Sequence, residues 1–398
     1  MFFSNQNFGK KRRRGRYKNF GRSYWYSWGY ISFRKMKNKN DSFDAEYFLN
    51  NHSVDAFLVS NHFNILYLSH FEGLSPTERE AFIFITKKDS YFITDGRYVN
   101  EKSIFPFFKR LTIDVGHSVS SFIQSICLEK GIKTVGFEAG DLSWKEADTL
   151  SKIPVTFAPK IEPLKELREQ KINAELEALT KACRIGDKAF GEIIPLIAVG
   201  KTERELAWRL EEIIRTKYGA EIAFDPMVAV GENAALPHYN TKRGAGIIEK
   251  NSLLLIDFGV KWHGYCSDMT RMVAVGEVGS EERHAYEVLK EVQSNARDEI
   301  KEFIYLSDID LFCRSALEKK GFGSYPHSTG HGVGLEIHEG PRISAISKDK
   351  KKTHQVFTIE PGIYVPQKWG MRMEDTVTVL PSGAVAELTR FSRELIQV

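Results

Sequence analysis

The segment 253–271, LLLIDFGVKWHGYCSDMTR, constrains the fold more than any other part of the chain. Its first half is an apolar run that belongs in a buried strand, and Asp257 sits inside that run. A buried carboxylate without a partner is costly, so Asp257 needs a cation or hydrogen-bond donors. Asp268 follows eleven residues later, beyond a turn that contains Gly264. If the two halves pair as a hairpin, both carboxylates face one pocket. Taken singly, each is better read as a turn residue or an exposed strand charge.

A second segment fits poorly in an ordinary core. HSTGHGVGLEIHE, residues 327–339, holds three histidines and three glycines. Glycine lets the backbone approach another group closely. Histidine offers metal ligation or proton transfer near neutral pH. Gly330 and Gly332 flank His331, so the chain can bend to aim that ring. Two more carboxylates stand at the ends of apolar strands. Glu360 follows VFTI and precedes Pro-Gly, which stops the strand; Glu374 lies in MRMEDTV. The strand period places Arg372 on the same face as Glu374.

Asp257, Asp268, His331, Glu360 and Glu374 make a hard, oxygen-rich donor set. Such a set suits a pair of divalent cations better than a thiolate zinc site. Four carboxylates balance the charge of two such ions. Mn²⁺ is the first expectation, with Co²⁺ and Zn²⁺ as alternatives. Two-ion centres hydrolyse amides or phosphates. No single element is specific, but the ordered set D-x₁₀-D, H-G-x-G, E-P-G and R-x-E is.

The 398 residues leave room for two or three domains. The net charge of +4 conceals an asymmetry, because residues 1–35 hold ten Lys/Arg and no Asp or Glu. The remainder holds 46 basic and 52 acidic residues, a net of −6. The leader mixes its cations with Phe, Tyr, Trp and Gly and follows no period. It reads as a disordered arm or as an artefact of start-site choice, with Met36 as the true start. A nucleic-acid arm or a targeting presequence is the other reading. The five candidate donors described above argue against nucleic acid as the main partner. No apolar run approaches a membrane span. Four widely spaced cysteines, with no CxxC pair, point to free thiols in the cytoplasm.

From Met36 to residue 160 the pattern is that of an α/β domain. DAFLVSN, AFIFIT, SYFITD and TVGFEAG read as strands, and SVSSFIQSICLEKG as a helix ending at Gly131. DGRYVNEKS reads as a turn entering a helix. Residues 161–170 read as a linker. Residues 171–398 form an α+β domain, with four helices flanking a mostly antiparallel sheet. Thr202 and Glu205 form a capping-box pattern at the start of the second helix.

With these motifs in place, the chain after Met36 resembles the pita-bread metallopeptidases: Xaa-Pro aminopeptidases, prolidases and methionine aminopeptidases. The N-terminal part resembles the creatinase/prolidase N-domain, which methionine aminopeptidases usually lack. The resemblance implies that Asp257, Asp268, His331, Glu360 and Glu374 are the metal ligands. It implies that His238, in NAALPHYNT, lies near the scissile carbonyl and that His338 stabilises the tetrahedral intermediate. It implies that His327 lines a proline pocket, that Arg372 stands beside the metals, and that Glu360 shuttles the proton. The plainer readings are a loop histidine beside Pro237 for His238, and packing for His327 and His338. The expected activity is that of an Xaa-Pro aminopeptidase acting on proline-containing peptides, as a homodimer. The alternatives are an Xaa-Pro dipeptidase (prolidase) and a non-enzymatic member that binds peptide or nucleic acid.

Overall fold

The computed structural model describes residues 43–398 apart from positions 99, 103, 105 and 106, so the leader at 1–35 lies outside the described residues. The first layers are α1 (Ala45–Asn51), β1 (Ala56–Val59), α2 (His62–Ser69), β2 (Ala81–Thr86), β3 (Ser90–Asp95) and β4 (Lys109–Ile113). They continue with α3 (Val119–Lys130), β5 (Thr134–Glu138), α4 (Trp144–Leu150) and β6 (Thr156–Lys160). The six strands form one sheet in the order β4-β3-β2-β1-β5-β6. β1, β2 and β3 pair antiparallel, while β4, β5 and β6 join in parallel. β1 and β2 are buried along their whole length, which is why they read as unbroken apolar runs. The Ser118 side chain caps α3, and Gly131 ends it at a φ of 65°.

One expectation fails here. DGRYVNEKS does not enter a helix among the described residues. The Asp95 carboxylate accepts from the Arg97 N–H at 2.9 Å and from its guanidinium at 2.8 Å, and this closes a local turn.

Residues 161–170 carry a short helix, α5 (Lys165–Glu169). The second part follows with α6 (Asn173–Ile193), α7 (Glu203–Tyr218), β7 (Glu221–Ile222), β8 (Met227–Val230), β9 (Ser252–Phe258) and β10 (Val260–Trp262). Next come β11 (Tyr265–Cys266), β12 (Met269–Val275), α8 (Ser280–Glu299), α9 (Ser307–Lys319), β13 (Gly330–Gly332) and β14 (Glu339–Ile343). The chain ends with β15 (Val356–Ile359), β16 (Gly362–Val365), β17 (Trp369–Arg372), β18 (Asp375–Val379), β19 (Val385–Glu387) and β20 (Ile396–Gln397). Among the described strands of this part, every pairing is antiparallel except β12 with β20. The capping box of Thr202 and Glu205 opens α7 as the sequence predicts.

Strand β9 shows how the layers form. Leu254, Ile256 and Phe258 pack into the cluster that holds Phe190 of α6 and Leu210 of α7. Leu253 and Leu255 pack into the other cluster, with Leu289 of α8 and Cys313 of α9. Alternate side chains thus bury two opposite faces, and the sheet lies between two helical layers. Each fully buried Leu or Ile contributes roughly 1.5–3 kcal/mol. The odd-numbered face continues to Asp257, which therefore leaves the apolar core at the strand end.

Candidate metal centre

β9 pairs with β12 in the register Asp257↔Thr270 and Phe258↔Met269. The intervening β10–β11 hairpin turns at His263 and Gly264, with φ of 50° and 78°. The pairing brings Asp268 beside Asp257, as the hairpin reading requires. His331 lies in β13, Glu360 between β15 and β16, and Glu374 between β17 and β18. Donor atoms of Asp268, His331 and Glu374 all lie within 4.8 Å of one another. His331 Nε2 is 3.5 Å from Asp268 and 3.4 Å from Glu360. Its Nδ1 donates to the Gly332 carbonyl at 3.2 Å. That bond fixes the tautomer and leaves the Nε2 lone pair facing carboxylates.

The glycines around His331 are there for lack of room. A β-carbon on Gly330 would stand 2.0 Å from the Thr358 carbonyl oxygen, and one on Gly332 2.0 Å from that of Gly340. Close backbone packing of β13 thus sets the place of the ring.

Electrostatics of the cluster are unfavourable without cations. Buried oxygens of Asp257, Asp268 and Glu374 have no hydrogen-bond partner. Burial, with the charges of Glu374, Asp257 and Glu360, raises the Asp268 carboxyl well above its usual range. Burial and the charges of Glu360 and Asp257 do the same to Glu374. Burial pushes Glu360 up to about 7, against the pull of Arg372. Burial, aided by neighbouring His338, lowers His331 to about 3. Buried carboxyl oxygens without partners beside an imidazole lone pair fit divalent ions.

Arg372 links several of these side chains. It forms an ion pair with Asp257. It donates from Nε to Thr270 Oγ1 at 3.1 Å and from Nη1 to the Tyr364 hydroxyl at 3.1 Å. Thr270 in turn donates to Glu374 at 2.7 Å. Tyr364 donates to His327 Nε2 at 2.8 Å, while His327 Nδ1 donates to the Ser328 carbonyl at 2.8 Å. Burial and the nearby Arg372 charge lower His327 to about 4. The rings of His331 and His338 meet edge-to-face at 4.3 Å. All nine residues singled out from the sequence, His238 included, line one cavity of about 950 Å³. Asn61, Asn64 and Glu138 of the N-terminal part also line it, joined by Arg168. Tyr364, Thr270 and this contribution of the N-terminal part were not anticipated. Tyr364 stands across from Gly370 in the β16–β17 pair, a register that no local motif reveals.

Fold and donor set together are those of a metal-dependent hydrolase. Residues 177–381 match the model of metallopeptidase family M24, and residues 46–170 match the creatinase/prolidase N-terminal domain. The chain belongs to metallopeptidase family M24. It is 35% identical to an Xaa-Pro dipeptidase of Pyrococcus furiosus, over 88% of this chain and 97% of that one. A solved Xaa-Pro dipeptidase from Bacillus anthracis superposes with a TM-score of 0.83 at 31% identity, over 89% of this chain and 99% of that one. A solved X-Pro aminopeptidase from Thermotoga maritima superposes with a TM-score of 0.80 at 31% identity, again over 89% and 99%. Among the described residues, no helix is long and apolar enough to cross a membrane.

Proposed function

We propose that this protein is an Xaa-Pro dipeptidase working with two divalent ions, Mn²⁺ in the first place, held by Asp257, Asp268, His331, Glu360 and Glu374. The observation that carries the reading is the set of orphaned carboxylate oxygens beside His331 Nε2, in a chain similar to two Pyrococcus proteins named Xaa-Pro dipeptidase. Those names favour the dipeptidase over the aminopeptidase that the sequence put first. The aminopeptidase keeps second place through the Thermotoga maritima structure.

When bound, the ions lower the pKa of a water and polarise the scissile carbonyl. Glu360 takes the proton of the attacking water and returns it to the leaving prolyl nitrogen. His338 and His238 donate hydrogen bonds to the charge that develops on the carbonyl oxygen. A prolyl nitrogen carries no N–H in the peptide, and its ring fixes φ. Recognition therefore falls to a shaped pocket, assigned to His327 with Tyr364. Arg372 holds Asp257 and Tyr364 in register with each other.

The same reading includes a homodimer and a division into 36–160, 161–170 and 171–398. It includes a cytoplasmic setting, which the four buried, unpaired cysteines support. Chromatography of Xaa-Pro against Xaa-Pro-Xaa digests tests the substrate class. The dipeptide should be cleaved and the longer peptide spared. Equal cleavage of both would return the aminopeptidase to first place.

A further inference from the structure

Helix α9 carries an ion pair that the mechanism above does not use, with Asp310 buried and Arg314 partly exposed. Its inner face is otherwise apolar, with Ile309, Cys313 and Leu317 fully buried. Asp310 stands on that face with no exposure. Arg314, one turn later, reaches it through Nε at 2.7 Å and Nη2 at 3.1 Å. Desolvating the Asp310 carboxylate offsets much of the Coulombic gain of the pair, so the pair is weak evidence for stability by itself.

The remaining bonds of the pair all go to one turn. Arg314 Nη1 donates to Ser324 Oγ at 2.6 Å and to the Tyr325 carbonyl at 2.7 Å. Nη2 donates to the His327 carbonyl at 2.6 Å. All five guanidinium N–H donors are thus used. The guanidinium also covers the Tyr325 ring, 4.3 Å from its centroid. Asp310 Oδ1 accepts from the Thr329 N–H at 3.0 Å and from its hydroxyl at 2.7 Å. The Thr329 carbonyl in turn accepts from the Glu360 N–H at 2.8 Å. His327 sits between the clamped Tyr325, with ring centroids 4.9 Å apart, and Tyr364, at 5.5 Å. His327, Ser328 and Gly330 line the cavity, whereas neither Asp310 nor Arg314 does.

We propose that the Asp310–Arg314 pair is the positioning element of the proline pocket, fixing the turn at 324–329 and through it the ring of His327. This rests on the reading of His327 as a pocket residue. The pair touches no substrate; it acts on ring selection by holding the backbone on both sides of His327. Lysine cannot replace Arg314, because a single ammonium has neither the planar fork nor enough donors for five bonds.

The test compares selectivity, measured as kcat/KM on an Xaa-Pro dipeptide over that on Xaa-Ala. The variants are Arg314→Gln, Arg314→Lys, His327→Ala and the Arg314→Gln/His327→Ala double, with metal content measured on each. Losing charge-assisted bonds to the turn should lower selectivity about tenfold or more in Arg314→Gln. Arg314→Lys should not restore it, and metal content should stay that of the wild type. Because Arg314 acts through His327, the double variant should be no less selective than His327→Ala alone. Additive losses, or equal losses on both substrates, would overturn the proposal. If Arg314→Gln does not fold, Arg314→Lys decides, since wild-type selectivity there also overturns it. If His327→Ala lowers selectivity and the Arg314 variants do not, the clamp fails and the pocket stands. If His327→Ala leaves selectivity intact, the pocket reading fails and takes the clamp with it.

Discussion

Metal uptake by the stripped protein should depend steeply on pH near neutrality. The cause is the crowding of Asp257, Asp268, Glu360 and Glu374 in one buried cluster. Burial moves Glu360 from an ordinary 4.5 to about 7, and holds Asp268 and Glu374 well above their usual ranges. Protons on these carboxyls must leave when an ion binds. His331, lowered to about 3, is already unprotonated and contributes none. The sign follows: raised carboxyl pKa values keep protons in place below neutrality, so affinity falls as pH falls. For Glu360 alone, with its pKa about 7, the apparent Kd should rise about fivefold from pH 7 to pH 6. Each further carboxyl still protonated in that range adds up to about tenfold. Ordinary carboxylates, with pKa values of about 4, would give almost no change over the same interval. Calorimetric titration with Mn²⁺ at both pH values, in two buffers of different ionisation enthalpy, reads affinity and proton release together. A pH-independent Kd with no proton release would refute the crowded-carboxylate argument.

Three further outcomes follow from the geometry. His238→Ala should keep its metal and lose kcat with KM moving less, by about 3–4 kcal/mol of barrier if it donates to the developing oxyanion; steady-state kinetics with metal analysis on the same samples checks this. Arg372→Lys should lower metal affinity or activity about 10–100-fold, because one ammonium cannot hold Asp257, Thr270 and Tyr364 together; metal titration and kinetics read it directly. Gly332→Ala places a β-carbon 2.0 Å from the Gly340 carbonyl oxygen and should cost about 1–3 kcal/mol of stability, visible as a lower midpoint in chemical unfolding.

The parts legible in the sequence are those whose signal is local. β2 and β3 declare themselves as apolar runs around the turn Lys87-Lys88-Asp89, and Thr202 with Glu205 announces α7. Three of the candidate donors are legible for the same reason: Asp257 interrupts an apolar strand, His331 stands between two glycines and Glu360 precedes a proline. What escaped has its cause elsewhere in the chain. β4, KRLTI, is an edge strand that is nowhere fully buried, so its composition does not alternate clearly. β6, TFAPK, carries a proline that an outer strand can tolerate and a central one cannot. The turn at Asp95 won over the helix because its own side chain satisfies the backbone and the guanidinium that follows. The bond of Asp310 to Thr329 spans nineteen residues and that of Arg168 to Asn64 spans 104, separations at which no pattern reports pairing.

If the buried carboxylates hold the ions on which peptide hydrolysis depends, activity and metal content must rise and fall together. The most direct measurement is the rate of Xaa-Pro dipeptide hydrolysis by one preparation, taken as purified, after chelation with metal removal verified, and after reloading with Mn²⁺ or Co²⁺, alongside Asp268→Ala. Activity should vanish on chelation, return on reloading, and be absent together with metal in Asp268→Ala. Normal turnover by verified metal-free protein would contradict this dependence.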